Sequence, residues 1–408
     1  MLVNKFCTAA SGIEVVLPCK VKDSFLGHHR IMTFDLQLFW PLMLLALPAL
    51  GSLFYYYRFW LPVLRYRDKK AAFNAQQEAV SVIIWSRNQA DMLRKNLAAV
   101  LEQDYPQFEV VVVNDCSFDE STDVLMDFQL RYPLLRVVTV DEQPKYPTGK
   151  KFALTLGIKA ATHNVLLFAD ADCRPLTNQW LKLMQQQYID KTELVLGFAT
   201  AAVAPGFANA LSRFDALYYG LQTYGHALSR RAIMGNGRNL SYLRALFFFH
   251  KGFVTHIKHH SGEADLFVNQ AANAQNVRVC MEPEAITEAT ETAGFAALWK
   301  RKVWELSARK FYRAADKGWL NFYNRMSWLG LLLLPLALWF YQSEPLLLYS
   351  SIGIVLLPFL HKLLFLALFS KKLKLKQSVA LVFLAPVYQF LAIFWTLKAK
   401  TIKSGNNG

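Results

Sequence analysis

Residues Val165–Arg174 read VLLFADADCR. Five apolar residues run without a break and then give way to Asp170-Ala171-Asp172. A short continuous apolar run of this kind reads as a strand buried on both faces of a parallel sheet. A carboxylate at the end of such a strand is costly unless something compensates it. Here two carboxylates alternate around a small residue. In an extended chain both flank one site at the carboxyl end of the sheet, where open α/β sheets bind ligands. Hard oxygen ligands of this type suit Mg²⁺ or Mn²⁺ held jointly with phosphates. The alternative is a solvated turn with two acids, and the flanking sequence weighs against it.

Upstream, short apolar runs alternate with helical patterns. Val80–Ile84 reads as a strand. Gln89–Glu102 carries Met92, Leu93, Leu97, Val100 and Leu101 at helical spacing. Glu109–Val113 is a valine-rich buried strand. Ser117–Glu120 reads as a capping box opening a helix, and Arg136–Val140 as a third strand. Thr148 is expected to cap the basic helix GKKFALTLGIKAA, which leads into the aspartate motif. The order implies an α/β domain with a mostly parallel sheet and helices on both faces. No G-x-G-x-x-G follows the first strand and no Walker-type loop is present, so dinucleotide and P-loop chemistry are disfavoured.

The chain has 408 residues, 54% hydrophobic and 14% aromatic, with mean hydropathy +0.18 and net charge +15. This is too apolar for an ordinary soluble enzyme. Residues 36–57 hold no charge and are long enough to span a bilayer, with Tyr55, Tyr56, Tyr57 and Trp60 as an aromatic belt. Three further apolar segments, 326–343, 345–370 and 377–397, make a C-terminal membrane region. Pro386 and Gln389 leave the last of these open between spanning and re-entrant. His361 and Lys362 interrupt the middle one and are expected to snorkel. Basic residues flank these segments: Arg65, Arg67, Lys69 and Lys70, then Lys371, Lys372, Lys374 and Lys376. They point to an anionic membrane surface and not to nucleic acid. The positive-inside rule then puts a domain of residues 72–325 in the cytoplasm. Residues 1–35 read as an extension, with Met32 as an alternative start, and 398–408 as a basic tail. The five scattered cysteines fit reduced thiols and argue against a zinc site or disulfide framework.

Taken together, VSVIIWSRNQADML, FEVVVVNDCSFDES, PTGKKFALTLGIKAATHNVLLFADADC, MGNGRNLSYLR and SGEADLFVNQ resemble the family 2 glycosyltransferases over roughly Val80–Tyr312. The hydrophobic segments resemble the membrane-bound bacterial members. The resemblance implies a GT-A fold, a Rossmann-like, mostly parallel sheet flanked by one N-terminal and about three C-terminal membrane helices. It implies inverting transfer from a nucleotide-sugar donor, a UDP-sugar first, to a lipid-linked or cell-surface glycan acceptor. The implied location is a multi-pass protein of the bacterial plasma membrane. A polyprenyl-phosphate acceptor and a non-catalytic nucleotide-sugar-binding scaffold remain as alternatives.

On this resemblance Asp172 contacts the metal, with Asp170 beside it and nearer the donor. Asp115 takes the nucleotide base. Lys150 and Lys151 both lie near the diphosphate, and Lys151 matches the family position. Arg238 and Asn239 bind phosphate or acceptor oxygens. Glu263 is the candidate general base, occupying the position where the family usually has Asp, and Asp265 is its runner-up. Trp85 either stacks on the base or fills the core. Processive members carry Q-x-x-R-W. Here LWKRKVWELSARKFY has Arg301 and Trp304 at the Gln and Arg positions, which implies a non-processive enzyme. Trp299 and Trp304 on this basic stretch suggest an interfacial helix.

Overall fold

The structure is a computed structural model that describes residues 36–67, 77–141, 149–229, 231–259, 261–290, 294–375 and 379–402. The expected N-terminal extension, the Thr148 cap, Lys69, Lys70, Lys376 and the tail beyond residue 402 lie outside the described residues.

The described residues form ten strands: β1 Val80–Ser86, β2 Phe108–Asp115, β3 Leu135–Val140, β4 Val165–Asp170, β5 Cys173–Pro175, β6 Leu194–Leu196, β7 Ala199–Ala201, β8 Leu240–Leu243, β9 Val277–Val279 and β10 Thr287–Ala289. Seven form one sheet in the order β3-β2-β1-β4-β8-β6-β9. The first four are mutually parallel. β8 runs antiparallel to both β4 and β6, and β6 pairs parallel with β9. A small second sheet has the order β5-β10-β7. Val110 to Val113 of β2 and Leu166 of β4 are fully buried, as expected for strands covered by helices on both faces.

The helices Ala90–Leu101, Ser121–Arg131 and Lys150–Ala160 are the crossovers. The capping-box expectation is corrected. Glu120 precedes the helix Ser121–Arg131 and makes no side-chain cap. Asp119 instead accepts hydrogen bonds from the backbone N–H of Ser121 at 3.1 Å and of Ala90 at 3.0 Å, tying two helix starts together. Cys116, Cys173 and Cys280 are buried.

The described residues divide into two units. In one, formed by residues up to Phe54 together with Phe322–Leu360, Leu45, Ala337, Tyr341 and Leu347 make a small core. There the Tyr341 hydroxyl donates to the Leu38 carbonyl at 2.6 Å. The other unit holds both sheets and the helices at residues 361–372 and 385–401.

Among the described residues three helices are long and apolar enough to cross a membrane, Leu38–Arg65, Pro345–Lys372 and Leu381–Thr401. The expected segment 326–343 falls in the helix Ala314–Phe340, which is not among them. Its apolar part ends at Phe340, and the roughly 15 residues from Met326 span about 22 Å, short of a bilayer core of about 30 Å. Lys362 does not snorkel. It is buried, donates to Gln389 Oε1 at 3.1 Å and sits 5.2 Å over the Tyr218 ring. Within a helix pair, a neutral amide and an aromatic face give a lysine shelter that water otherwise supplies.

Candidate active site

The chain winds from β1 to β2 and β3 on one side, then crosses to β4 on the other. This reversal opens a crevice at the carboxyl ends of β1 and β4, where α/β sheets bind ligands. Trp85 of β1 pairs in register with Asp170 of β4, and Ser86 with Asn114 of β2.

Asp115, at the end of β2, is buried. Its Oδ2 accepts from Trp85 Nε1 at 3.0 Å, so Trp85 neither merely fills the core nor stands free. Asp115 Oδ1, Asn114 Oδ1, Ser86 Oγ and Gln89 Oε1 are buried with no hydrogen-bond partner. A buried acceptor left without a donor is costly. These four atoms, at the ends of β1 and β2 and before the next helix, would be satisfied by N–H or O–H donors.

The two motif aspartates face cations. Asp170 Oδ1 lies 2.7 Å from Lys150 Nζ, and Asp172 Oδ2 lies 2.6 Å from Arg238 Nη2. Burial opposes the charge on Asp172, but Arg238 outweighs it and holds the carboxyl below the usual range. Asp170 is pushed up, first by burial and then by Asp172, against the pull of Lys150 and Arg238. Glu263 begins the helix Glu263–Ala271 behind Gly262, whose φ of +82° suits a residue without a side chain. Its Oε1 lies 2.8 Å from the same Lys150 Nζ. Lys150 therefore bridges Asp170 and Glu263. Burial raises the Glu263 pKa, but Lys150, with the Glu263 backbone N–H and Lys151, outweighs this and lowers it. Lys150, Asp170 and Glu263 share a cavity of ≈ 300 Å³ with Gly235–Arg238, Ser212, Asp215, Arg301, Trp304 and Glu305.

Three sequence expectations are corrected. Lys151 does not face the pocket. Its ammonium donates to the carbonyls of His256, His259 and Ser261 at 2.9, 2.6 and 2.9 Å, pinning the loop before Glu263. Asn239 is fully buried and spent on protein partners: Nδ2 donates to the carbonyls of Phe198 and Ala285, and Oδ1 accepts from Trp180 Nε1. The helix Gly294–Ser307 is not a free interfacial helix. Trp299 packs 6.0 Å from the buried Trp395, and Trp304 lines the cavity.

Asp265, the runner-up base, also lines the cavity. Its carboxylate accepts from the Tyr219 hydroxyl, from the Tyr312 hydroxyl at 2.7 Å and from Gly235 N at 3.2 Å. Three donors hold this carboxylate as a brace, while burial outweighs them and pushes its pKa up. Asp215, Lys302 and Glu305 had no signal in the sequence, because charged residues inside long helices usually mark a solvated face.

The donor set fits a hard divalent cation. Among the described residues no group of three His, Cys, Asp or Glu is placed to hold a metal. Asp170 and Asp172 offer two carboxylates, and Mg²⁺-type ions commonly take one or two of these with the remainder from phosphate and water.

The family model described as "Glycosyl transferase family 2" matches residues 81–248. The chain carries a family 2 glycosyltransferase domain. It is 27% identical over 139 residues to a poly-beta-1,6-N-acetyl-D-glucosamine synthase of Staphylococcus epidermidis, covering 34% of this chain and 32% of that one. It is 37% identical over 105 residues to the glycosyltransferase AglE of Haloferax volcanii, covering 25% and 33%. The match thus spans about a third of the length of these curated relatives. Among solved structures, the mannosyltransferase PcManGT from Pyrobaculum calidifontis, in complex with GDP-Man and Mn²⁺, superposes with a TM-score of 0.53. The alignment covers 88% of this chain and 94% of that one at 16% identity, which establishes the shared GT-A fold of the family 2 domain.

Proposed function

We propose that this domain transfers a sugar, with inversion, from a nucleotide-sugar donor to a lipid-linked or cell-surface glycan acceptor at a membrane. The reading rests on one observation: a single ammonium, Lys150, joins the donor-side carboxylate Asp170 to the candidate base Glu263. Leaving-group and proton-acceptor chemistry thereby meet in one cavity.

Asn114, Asp115 and Ser86 take the nucleoside, whose N–H and O–H groups answer their unpartnered oxygens. Arg238 and Lys150 hold the diphosphate. Glu263, kept ionised by Lys150, accepts the proton of the acceptor hydroxyl. The acceptor oxygen attacks the anomeric carbon as the bond to the diphosphate breaks, and Arg238 stabilises the charge that develops there. Asp170 and Asp172 would hold Mg²⁺ or Mn²⁺, which when bound supplies further charge neutralisation on the diphosphate. The Arg301 and Trp304 departures support a non-processive enzyme. The three apolar helices, with Lys371, Lys372 and Lys374 at the end of one of them, support a multi-pass protein of the bacterial plasma membrane with residues 72–325 in the cytoplasm and anionic lipid alongside.

The test is nucleotide release by the purified full chain across UDP-, GDP- and dTDP-sugars, in wild type and Glu263→Gln. One donor class should be turned over by wild type and not by the variant. Absence of release from every donor would defeat the reading.

A further inference from the structure

Two helices, Phe207–Ser229 and Gly294–Ser307, supply another wall of the cavity. It presents Ser212, Asp215, Arg301 and Glu305. Its charges are locked together. Lys302 is 2% exposed, with Nζ 2.8 Å from Asp215 Oδ1 and 2.7 Å from Glu305 Oε2. Burial opposes the charge on Lys302, but the two carboxylates outweigh it and hold the ammonium above the ordinary lysine value. Asp215 has a further donor, the hydroxyl of Tyr388.

Tyr388 comes from the C-terminal helix Ala385–Thr401. Its ring packs 5.1 Å from Phe214 and 5.4 Å from Tyr218. An apolar helix long enough to cross a membrane thus lends a polar group to the frame of the pocket. The formal charges of the wall cancel, with Asp215 and Glu305 against Arg301 and Lys302. Both cations already face carboxylates, Arg301 Nε lying 3.6 Å from Glu305 Oε1. A phosphate arriving here would add negative charge beside two carboxylates whose cations are committed, and like charges at close range are strongly disfavoured. A sugar hydroxyl brings a donor to carboxylate oxygens and adds no charge.

We propose that Tyr388 is a positioning residue for the acceptor half of the pocket, fixing through Asp215 a wall that takes an uncharged sugar and rejects a lipid phosphate. This rests on the glycosyl-transfer reading above. It selects between two acceptor chemistries and makes the C-terminal helix part of the site.

The experiment uses the full chain in detergent and the donor identified by the screen above. Nucleotide release is measured with neutral tetrasaccharides of β-linked glucose or N-acetylglucosamine, and separately with undecaprenyl phosphate. A tetrasaccharide should stimulate release and undecaprenyl phosphate should not. Tyr388→Phe should raise the tetrasaccharide KM about tenfold, with kcat and donor KM within about twofold of wild type. Partial misfolding would instead lower kcat and leave KM in place. Asp215→Asn keeps a partner for the Tyr388 hydroxyl and removes a negative charge. It should also raise the tetrasaccharide KM and should admit undecaprenyl phosphate. Stimulation of wild type by undecaprenyl phosphate alone, stimulation by neither probe, or an unchanged KM in Tyr388→Phe would overturn the proposal. Absence of release from any donor in wild type would instead defeat the glycosyl-transfer reading.

Discussion

On one wall of the pocket, Lys150 and Arg238 meet Asp170 and Asp172 through side chains 17–24% exposed; on the other, Lys302 and Asp215 pair at 2% and 9% exposure, with Glu305 reaching out to water at 41%. Ion pairs that water can reach exchange partners at small cost. A buried ion pair that loses one member leaves an uncompensated charge. The donor wall is therefore suited to trade its internal pairs for phosphate, and the far wall to hold its shape. The same residue types serve either end, and burial decides which.

The largest effect should come from the group between the two walls. Glu263→Gln should lower kcat by about 10²–10⁴-fold with donor affinity nearly unchanged. Asp265→Asn should chiefly reduce stability, because Tyr219, Tyr312 and Gly235 hold that carboxylate as a brace. If Asp265→Asn stops turnover in a fully folded protein and Glu263→Gln does not, the base is Asp265.

Next, Lys302→Met should cost about 3–5 kcal/mol in denaturant unfolding, because the buried Asp215 then loses its cation. Arg238→Gln on the donor wall should cost only about 1–2 kcal/mol of stability, with a raised donor KM. Equal losses of stability would erase the distinction between the walls.

Asp172→Asn should slow nucleotide release by about 10²–10³-fold. EDTA should slow wild type and add little to the loss in that variant. Full activity of wild type in EDTA would remove the metal from the reading.

The smallest effect lies outside both walls. Glu109, at the opposite end of β2 from Asp115, accepts from Ser81 Oγ, Thr162 N and Thr162 Oγ1 at 2.6–2.7 Å. Burial works against its charge, and these donors with Arg136 outweigh it and lower its pKa. A carboxyl lowered in the folded state stabilises the fold fully above the ordinary glutamate range, and that contribution is lost as pH falls through the folded value. Glu109→Gln should therefore cost about 2 kcal/mol near neutral pH and flatten the acid loss of stability, with the kinetics of surviving enzyme unchanged. A pH-stability curve like that of wild type would refute it.

The parallel half of the sheet was legible because its strands are continuous apolar runs separated by helical spacing. The second half was harder to read. β6, β7, β9 and β10 are three residues long, too short for periodicity to register. The C-terminal membrane region was legible in composition, but the span expected at 326–343 ran past the helix end at Phe340.

The amino-acid sequence by itself determined that two carboxylates end a buried strand, that an acid opens the helix of SGEADLFVNQ, and that long apolar segments lie near both ends of the described chain. Each depends only on neighbours along the chain: the apolar run before Asp170, the glycine before Glu263, the absence of charge across a span. Tertiary structure decided what those groups face. Lys150 and Lys151 are adjacent at a helix start, where successive side chains project about 100° apart, so one enters the pocket and the other binds a loop. Asn239 follows Arg238 in the turn before β8, and its side chain turns into the core. The contact between Asp215 and Tyr388 joins residues 173 positions apart. No local pattern encodes that distance, because it is set by how helices pack after they form.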